Sequence, residues 1–283
     1  MPEIWFPNLG IEIAHLDRVA FTVFGKNVYW YGIFIGLAVI IGVGMAMRQA
    51  RRTGQNPEMY LDFTLYALIF SVLGARLYYI LFSWEFYSAH PEKIFAIREG
   101  GLAIYGGIIG GVLTAIVYAK KKKVDFWLLA DTAAPCLVFG QMLGRWGNFF
   151  NREAFGGFTE GLFAMRYQLS QVRSGDVSAE IMNHLQTIGG VEYIQVHPTF
   201  LYESFWNFCV LLLLLVLRRR KKFHGEIFGL YLLGYALGRV WIEGLRTDQL
   251  KIGAFAVSQL LSAGLILFAL CFLIWKGKRG NTE

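Results

Sequence analysis

Seven apolar runs separated by short connections govern what this chain can fold into: about 29–47, 60–82, 102–119, 126–144, 200–217, 226–245 and 255–275. Each reaches or approaches the roughly 18–20 residues of helix that cross a bilayer. With 55% hydrophobic residues and only 17% charged, the chain is expected to be an integral membrane protein rather than a soluble globule. The net charge of +7 invites a nucleic-acid reading, but the basic residues sit in clusters between the apolar runs. That pattern suits a negatively charged inner membrane face, not a DNA-binding stripe.

Those clusters also orient the chain. "RQARR" (48–52), "KKKK" (120–123), "RRRKK" (218–222) and "KGKR" (276–279) lie on alternate connections and hold fifteen of the 27 Lys and Arg residues. By the positive-inside rule this side is cytoplasmic, which puts the amino terminus outside and the carboxyl terminus inside. The amino terminus, "MPEIWFPNLGIEIAHLDR", lacks the basic-then-apolar form of a cleaved signal peptide, so insertion relies on the internal spans. The expected fold is an all-α integral membrane protein with seven transmembrane helices and a small extracytoplasmic subdomain. It forms one membrane domain over 1–283, with 145–198 as its extracytoplasmic segment; there "RSGDVSAEIMNHLQTIGG" predicts a loop and a short amphipathic helix. Cys136, Cys209 and Cys271 all lie inside apolar runs and serve as small core residues, with no disulfide and no metal spacing.

Polar residues inside such runs are costly, so their depth is informative. Tyr31 opens the first run from outside, and Arg76 lies near the outer end of the second. Tyr105 precedes "GGIIGG" (106–111) at the start of the third, and Arg145 and Asn148 close the fourth. Tyr202 and Glu203 open the fifth after "VHPTF", which contains His197; Tyr235, Arg239 and Glu243 lie in the outer half of the sixth. Six runs thus bring polar groups to the outer leaflet. Spacing of i, i+4, i+8 puts Tyr235, Arg239 and Glu243 on one helix face. A single Arg–Glu pair there is as well explained by helix–helix bonding, but Arg76 and Arg145 at the same level leave surplus positive charge. The planar guanidinium suits phosphate, and a phospholipid headgroup is the anion found at that depth.

Other features have plainer readings. "GGIIGG" has no strand before it, so close helix packing is favoured over a nucleotide loop, although the first-turn amides beside Tyr105, at Gly106 and Gly107, can face an anion. Asp62 and Asp131 lie towards the inner side as structural polar contacts. His197 is a hydrogen-bonding residue in a turn before Pro198. The five histidines show no metal spacing, and none has Asp five positions on, which excludes a His-x-x-x-x-Asp acyltransferase. No lysine precedes Lys276 in the last run to anchor a retinal Schiff base. A transporter places its polar groups near the midplane, whereas here they crowd one leaflet. An enzyme acting on an anionic lipid remains, with a non-enzymatic anionic-phospholipid-binding protein or a transporter as the alternatives.

The stretch closing the fourth run, "GRWGNFFNREAFG" (144–156), sharpens this. It resembles the signature of the bacterial prolipoprotein diacylglyceryl transferases, close to G-R-x-G-N-F-x-N-x-E-x-x-G. "YWYG", "REGGLAIYGG", "HPTFLYES" and "GYALGRVWIEGLR" follow the family's order over nearly the whole chain. The resemblance implies a seven-helix enzyme of the bacterial cytoplasmic membrane. Such an enzyme transfers the diacylglyceryl group of phosphatidylglycerol to the lipobox cysteine thiol of a prolipoprotein signal peptide, releasing glycerol 1-phosphate, with no metal or organic cofactor and no nucleic acid. Arg145, Asn148, Asn151, Glu153 and Gly156 match the signature, and Tyr31, Asp131, Tyr235, Arg239 and Glu243 match other weighted positions. The expected roles are a phosphate clamp from Arg145 and Arg239, orientation of the headgroup by Tyr235 and Asn148, fixing of Arg239 by Glu243, and placement of the signature loop by Glu153. One departure matters: many relatives have His where this chain has Tyr105. Tyrosine, with a reference pKa of about 10, serves either as a headgroup hydrogen-bond donor or as a base helped by nearby arginines.

Overall fold

The structure is a computed structural model, described here for residues 1–97, 100–247, 251–252 and 255–280. Arg98 and Glu99 of "REGGLAIYGG" lie outside the described residues, as does the Arg279 side chain.

Long helices form where the apolar runs predict them: α1 (Trp30–Arg52), α2 (Glu58–Phe82), α4 (Ile104–Lys122), α5 (Phe126–Asn151), α7 (Thr199–Leu217), α8 (Glu226–Leu245) and α9 (Val257–Gly280). Short helices α3 (Trp84–Ala89) and α6 (Ala179–Asn183) lie between them. Among the described residues five helices are long and apolar enough to cross a membrane: α1, α2, α5, α7 and α9. Glycines and terminal lysines dilute α4, and Glu226, Arg239 and Glu243 interrupt the apolarity of α8. Outward faces are greasy, as with Ile40, Leu77, Val216 and Leu267, which in water would be an aggregation hazard but suits lipid as the solvent. Cys209 and Cys271 are exposed rather than in the core, because in a bilayer an apolar run has two places to put a small hydrophobe.

An all-α fold is corrected by the strands. Segments β1 (Ile4–Phe6), β2 (Ile11–Ile13), β5 (Met165–Gln168), β6 (Gln186–Ile188) and β7 (Val191–Val196) make a five-stranded antiparallel sheet in the order β2-β1-β5-β7-β6. Strands β3 (Val19–Val23) and β4 (Lys26–Tyr29) form a hairpin, and β8 (Lys251–Ile252) pairs with β9 (Phe255–Ala256). The amino-terminal segment, for which the sequence predicts no element, supplies two of the five strands. These strands are three to six residues long, too short for a period of two to show, and β1 pairs with β5 some 160 residues away. The expected amphipathic helix contracts to α6, capped by the Ser178 hydroxyl on the Ile181 amide, and the chain then re-enters the sheet as β6.

The chain divides into two compact units, Met1–Gly42 with Ala134–Glu283, and Val43–Ala133. In the first, one core joins the sheet to two helix ends: Ile4, Phe6, Met165, Tyr167, Ile194 and Val196 pack with Phe149 of α5 and Phe200 of α7. The Phe149 and Phe200 rings stack at 4.5 Å between centroids. In the second, α2 and α4 touch backbone to backbone. A Cβ on Gly74 would fall 2.5 Å from the Gly106 carbonyl oxygen, and one on Gly111 would fall 3.0 Å from Ser71 Oγ, the close approach that small residues permit between apolar helices.

Candidate functional site

Helix α5 carries the signature to its carboxyl end, where the chain leaves through two non-glycine residues in the left-handed region, Arg152 (φ 54°) and Ala154 (φ 58°). Such residues carry strain that the surroundings must hold. Arg152, 5% exposed, is anchored by Glu3 Oε2 and by the Leu16 carbonyl, each 2.6 Å from Nη2. The Thr199 hydroxyl donates to the Ala154 carbonyl. Beyond it Gly156 and His197 exchange backbone hydrogen bonds with Gly157 in the ring: Gly156 N to His197 O at 3.0 Å and His197 N to Gly157 O at 3.0 Å. Gly157 N donates to Leu245 O, 2.8 Å, at the end of α8. A Cβ at Gly156 would lie 2.7 Å from the His197 Cβ and 2.8 Å from the Leu245 carbonyl oxygen, so only glycine lets these three segments meet.

The signature side chains face one another at this exit. Asn148 Nδ2 and Asn151 Nδ2 both donate to Glu153 Oε1, each at 3.1 Å, and Arg173 Nη2 stands 3.6 Å from Glu153 Oε2. Arg145 Nη1 reaches Asn148 Oδ1 at 3.4 Å. Tyr31, at the start of α1, lays its ring against Gly147, where a Cβ would collide with it.

The centre of the cluster is a residue not counted among the expected site residues. Glu203 of α7 is 3% exposed, and its Oε2 receives Arg145 Nε at 3.0 Å and Arg239 Nη1 at 3.1 Å. Arg246 Nη1 lies 3.9 Å from Oε1. Arg239 also pairs with Glu243 one turn on, as the i, i+4 spacing predicts. Three guanidiniums and two buried carboxylates thus join α5, α7 and α8. Against the surplus positive charge expected at this level, the fold sets two carboxylates, Glu203 and Glu243, among the arginines. A buried carboxylate is tolerable only with such partners. A signal existed for Glu203: Thr199, Glu203 and Asn207 recur at helical spacing in an apolar run, and all three are buried.

The remaining expected residues are placed as follows. Tyr235 stacks on Tyr231, 6.1 Å between centroids. His197 Nδ1 lies 3.4 Å from the Tyr202 hydroxyl, and burial pulls the His197 pKa down. Tyr105, Gly106, Gly107, Arg76 and Asp131 belong to the other unit. Arg76 is buried and directs four hydrogen bonds at backbone carbonyls; Asp131 is buried near the start of α5. Among the described residues no group of three or more His, Cys, Asp or Glu could hold a metal ion.

Apolar helices with outward hydrophobic faces, and arginines drawn together on one buried glutamate at a helix exit, define a helical membrane protein with a built-in cationic site. A family model described as prolipoprotein diacylglyceryl transferase matches residues 18–275, and this chain belongs to that family. It is 43% identical over 277 residues to the phosphatidylglycerol–prolipoprotein diacylglyceryl transferase of Bacillus cereus (strain Q1), with 96% of each chain covered. The enzymes of that name from Bacillus mycoides (strain KBAB4) and Bacillus anthracis (strain A0248) are 42% and 43% identical over the same length and share.

Proposed function

We propose that this chain transfers the diacylglyceryl group of phosphatidylglycerol to the lipobox cysteine thiol of a prolipoprotein, the reaction that its relatives' names describe. The observation that carries the reading is the convergence of Arg145 and Arg239 on one oxygen of Glu203, at 3.0 and 3.1 Å. Both guanidiniums stay partly accessible, at 20% and 15% of their side chains, while the glutamate between them is sealed. The carboxylate holds them in place, and their remaining N–H groups are free of the long-chain entropy a solvated arginine would lose on binding.

The lipobox thiolate attacks the glyceryl carbon that bears the phosphate oxygen. A C–S bond forms as the C–O bond breaks, the electron pair leaves on phosphate, and glycerol 1-phosphate departs with the proton balance made up by the thiol's proton. Charge develops on the leaving oxygen, where Arg145 and Arg239 neutralise it in surroundings of low dielectric. Glu243 fixes Arg239. Asn148 and Asn151, tied by Glu153, hold the signature turn that Gly156 closes against His197, and Tyr31 and Tyr235 flank the headgroup. We further propose that the whole chain, 1–283, acts as one membrane domain with seven spans. Its sheet lies on the outer face, its amino terminus outside and its carboxyl terminus in the cytoplasm of a bacterial cell.

The test is direct. Purified protein is incubated with phosphatidylglycerol and a lipobox peptide, and the products are read by mass spectrometry. A diacylglyceryl thioether together with free glycerol phosphate is the expected result. Lipid bound without product would point to a non-enzymatic lipid-binding protein, and uptake of a soluble solute into vesicles to a transporter.

A further inference from the structure

Within the unit Val43–Ala133, Tyr105 stands in the first turn of α4, whose extended N-cap is Ala103. Below it the glycine seam fixes α4 against α2. Above it a single side chain fixes the way in. Arg76 is 6% exposed although it sits in an apolar helix. Its Nε donates to the Ile94 carbonyl at 2.9 Å, Nη1 to Gly100 at 2.8 Å and Gly101 at 2.9 Å, and Nη2 to Lys93 at 2.5 Å. The Tyr87 ring lies 5.1 Å from the guanidinium carbon. Gly100 and Gly101 have φ of 97° and 74°, a region strained for any other residue type, and a Cβ on Gly101 would collide with Arg76 Nη1. Two residues later the Ala103 amide donates to the Ala75 carbonyl at 3.1 Å, and α4 begins.

We propose that Arg76 is a positioning residue for Tyr105: it locks the Gly100–Gly101 turn to α2 and so sets where the first turn of α4 begins, rather than holding the phosphate itself. The proposal goes beyond the clamp of Arg145 and Arg239 and rests on the proposed transfer reaction together with the expectation that Tyr105 meets the headgroup or serves as the base in it. The geometry requires arginine. Four carbonyls are met by three nitrogens of a rigid plane, which the single nitrogen of lysine cannot span. A charge at this depth is expensive, and here the carbonyl dipoles of the segment entering α4 offset it.

Arg76→Lys, Gly101→Ala and Tyr105→Phe variants of the full chain are compared in steady-state kinetics with phosphatidylglycerol, and by hydrogen exchange of the amides from 100 to 105. Arg76→Lys is expected to lower kcat by about tenfold or more, because small misplacements of reacting groups are costly, with KM for the lipid unchanged within about twofold. Exchange at those amides should quicken by about tenfold while α2 and α4 keep their protection. Gly101→Ala keeps the guanidinium but disturbs the turn, and should reproduce the kcat loss. A raised KM with unchanged kcat would make Arg76 a phosphate ligand and overturn the proposal. So would wild-type exchange in Arg76→Lys. If Arg76→Lys fails to fold, wild-type kcat and exchange in Gly101→Ala overturn it equally. Wild-type rates in Tyr105→Phe would remove its premise, and the exchange data would separate that outcome from an Arg76 that locks nothing.

Discussion

At Glu203 one carboxylate oxygen holds two arginines that α5 and α8 contribute separately, and removing its charge has a signed consequence. In Glu203→Gln the guanidiniums lose their common anchor and repel one another, yet the site becomes more positive. The kcat is expected to fall by about a hundredfold, whereas KM for the anionic lipid should not rise; a kinetic split of the opposite kind would contradict the anchoring role. In the proposed reaction, Arg145→Ala and Arg239→Ala remove the groups that neutralise the leaving phosphate. Each should cost about 10²–10³-fold in kcat/KM, the size of losing one preorganised donor, measured on variants shown to insert. The arginines and Glu243 were legible because charges inside apolar runs stand out. Glu203 was equally visible as a residue, but its part as the meeting point depends on which helices lie beside α7, and spacing within one helix cannot state that.

At the scale of elements, the exit of α5 works only because the sheet grips it. Burial alone would raise the Glu3 carboxyl, but the Leu16 amide, the His15 and Gln171 side chains and the Arg152 charge outweigh it and lower its pKa from 4.5 to about 2. The folded value lies below the unfolded one, so the stabilisation is fully present above about pH 4.5 and is lost as pH falls towards 2. A melt of Glu3→Gln in detergent should therefore lie below wild type at pH 7, with the gap narrowing between pH 4.5 and 2. Arg152→Ala leaves the half-buried Glu3 without its closest cation and is expected to destabilise by roughly 3 kcal/mol. Gly156→Ala should cost about 1–3 kcal/mol from overpacking against His197 and Leu245, seen as a lowered melting temperature together with lost activity. Helix positions were legible within a few residues because 3.6-residue periodicity and apolar length are local. The strands were not, because they are short and β1 is sandwiched between β2 and β5, the latter far along the chain.

For the whole molecule, the membrane dictates the arrangement of charge. The basic clusters at 48–52, 120–123, 218–222 and 276–279 predict that a reporter active only outside the cytoplasm is silent when fused after residue 220 and active when fused after residue 160. The reverse pattern would invert the proposed orientation. The two long helices outside α1, α2, α5, α7 and α9, namely α4 and α8, are those that carry the glycine seam and the Arg239 bridge to Glu203 of α7. In each, apolarity has been exchanged for a contact between helices, so hydropathy by itself undercounts the long helices.

By itself the sequence determined what is local in space as well as in the chain: apolar helices, their ends, the basic loops, and the run from Gly144 to Gly156 whose polar residues mark the candidate site and whose pattern matches a family. Only the tertiary structure decided which groups share a partner. It put Arg145 and Arg239 on Glu203, directed Arg76 at the carbonyls of Lys93, Ile94, Gly100 and Gly101, and drew Ile4–Phe6 and Ile11–Ile13 into a sheet. The physical reason is common to all three. A buried charge or an unpaired strand edge must be satisfied wherever the fold brings a partner, and distance along the chain carries no record of that meeting.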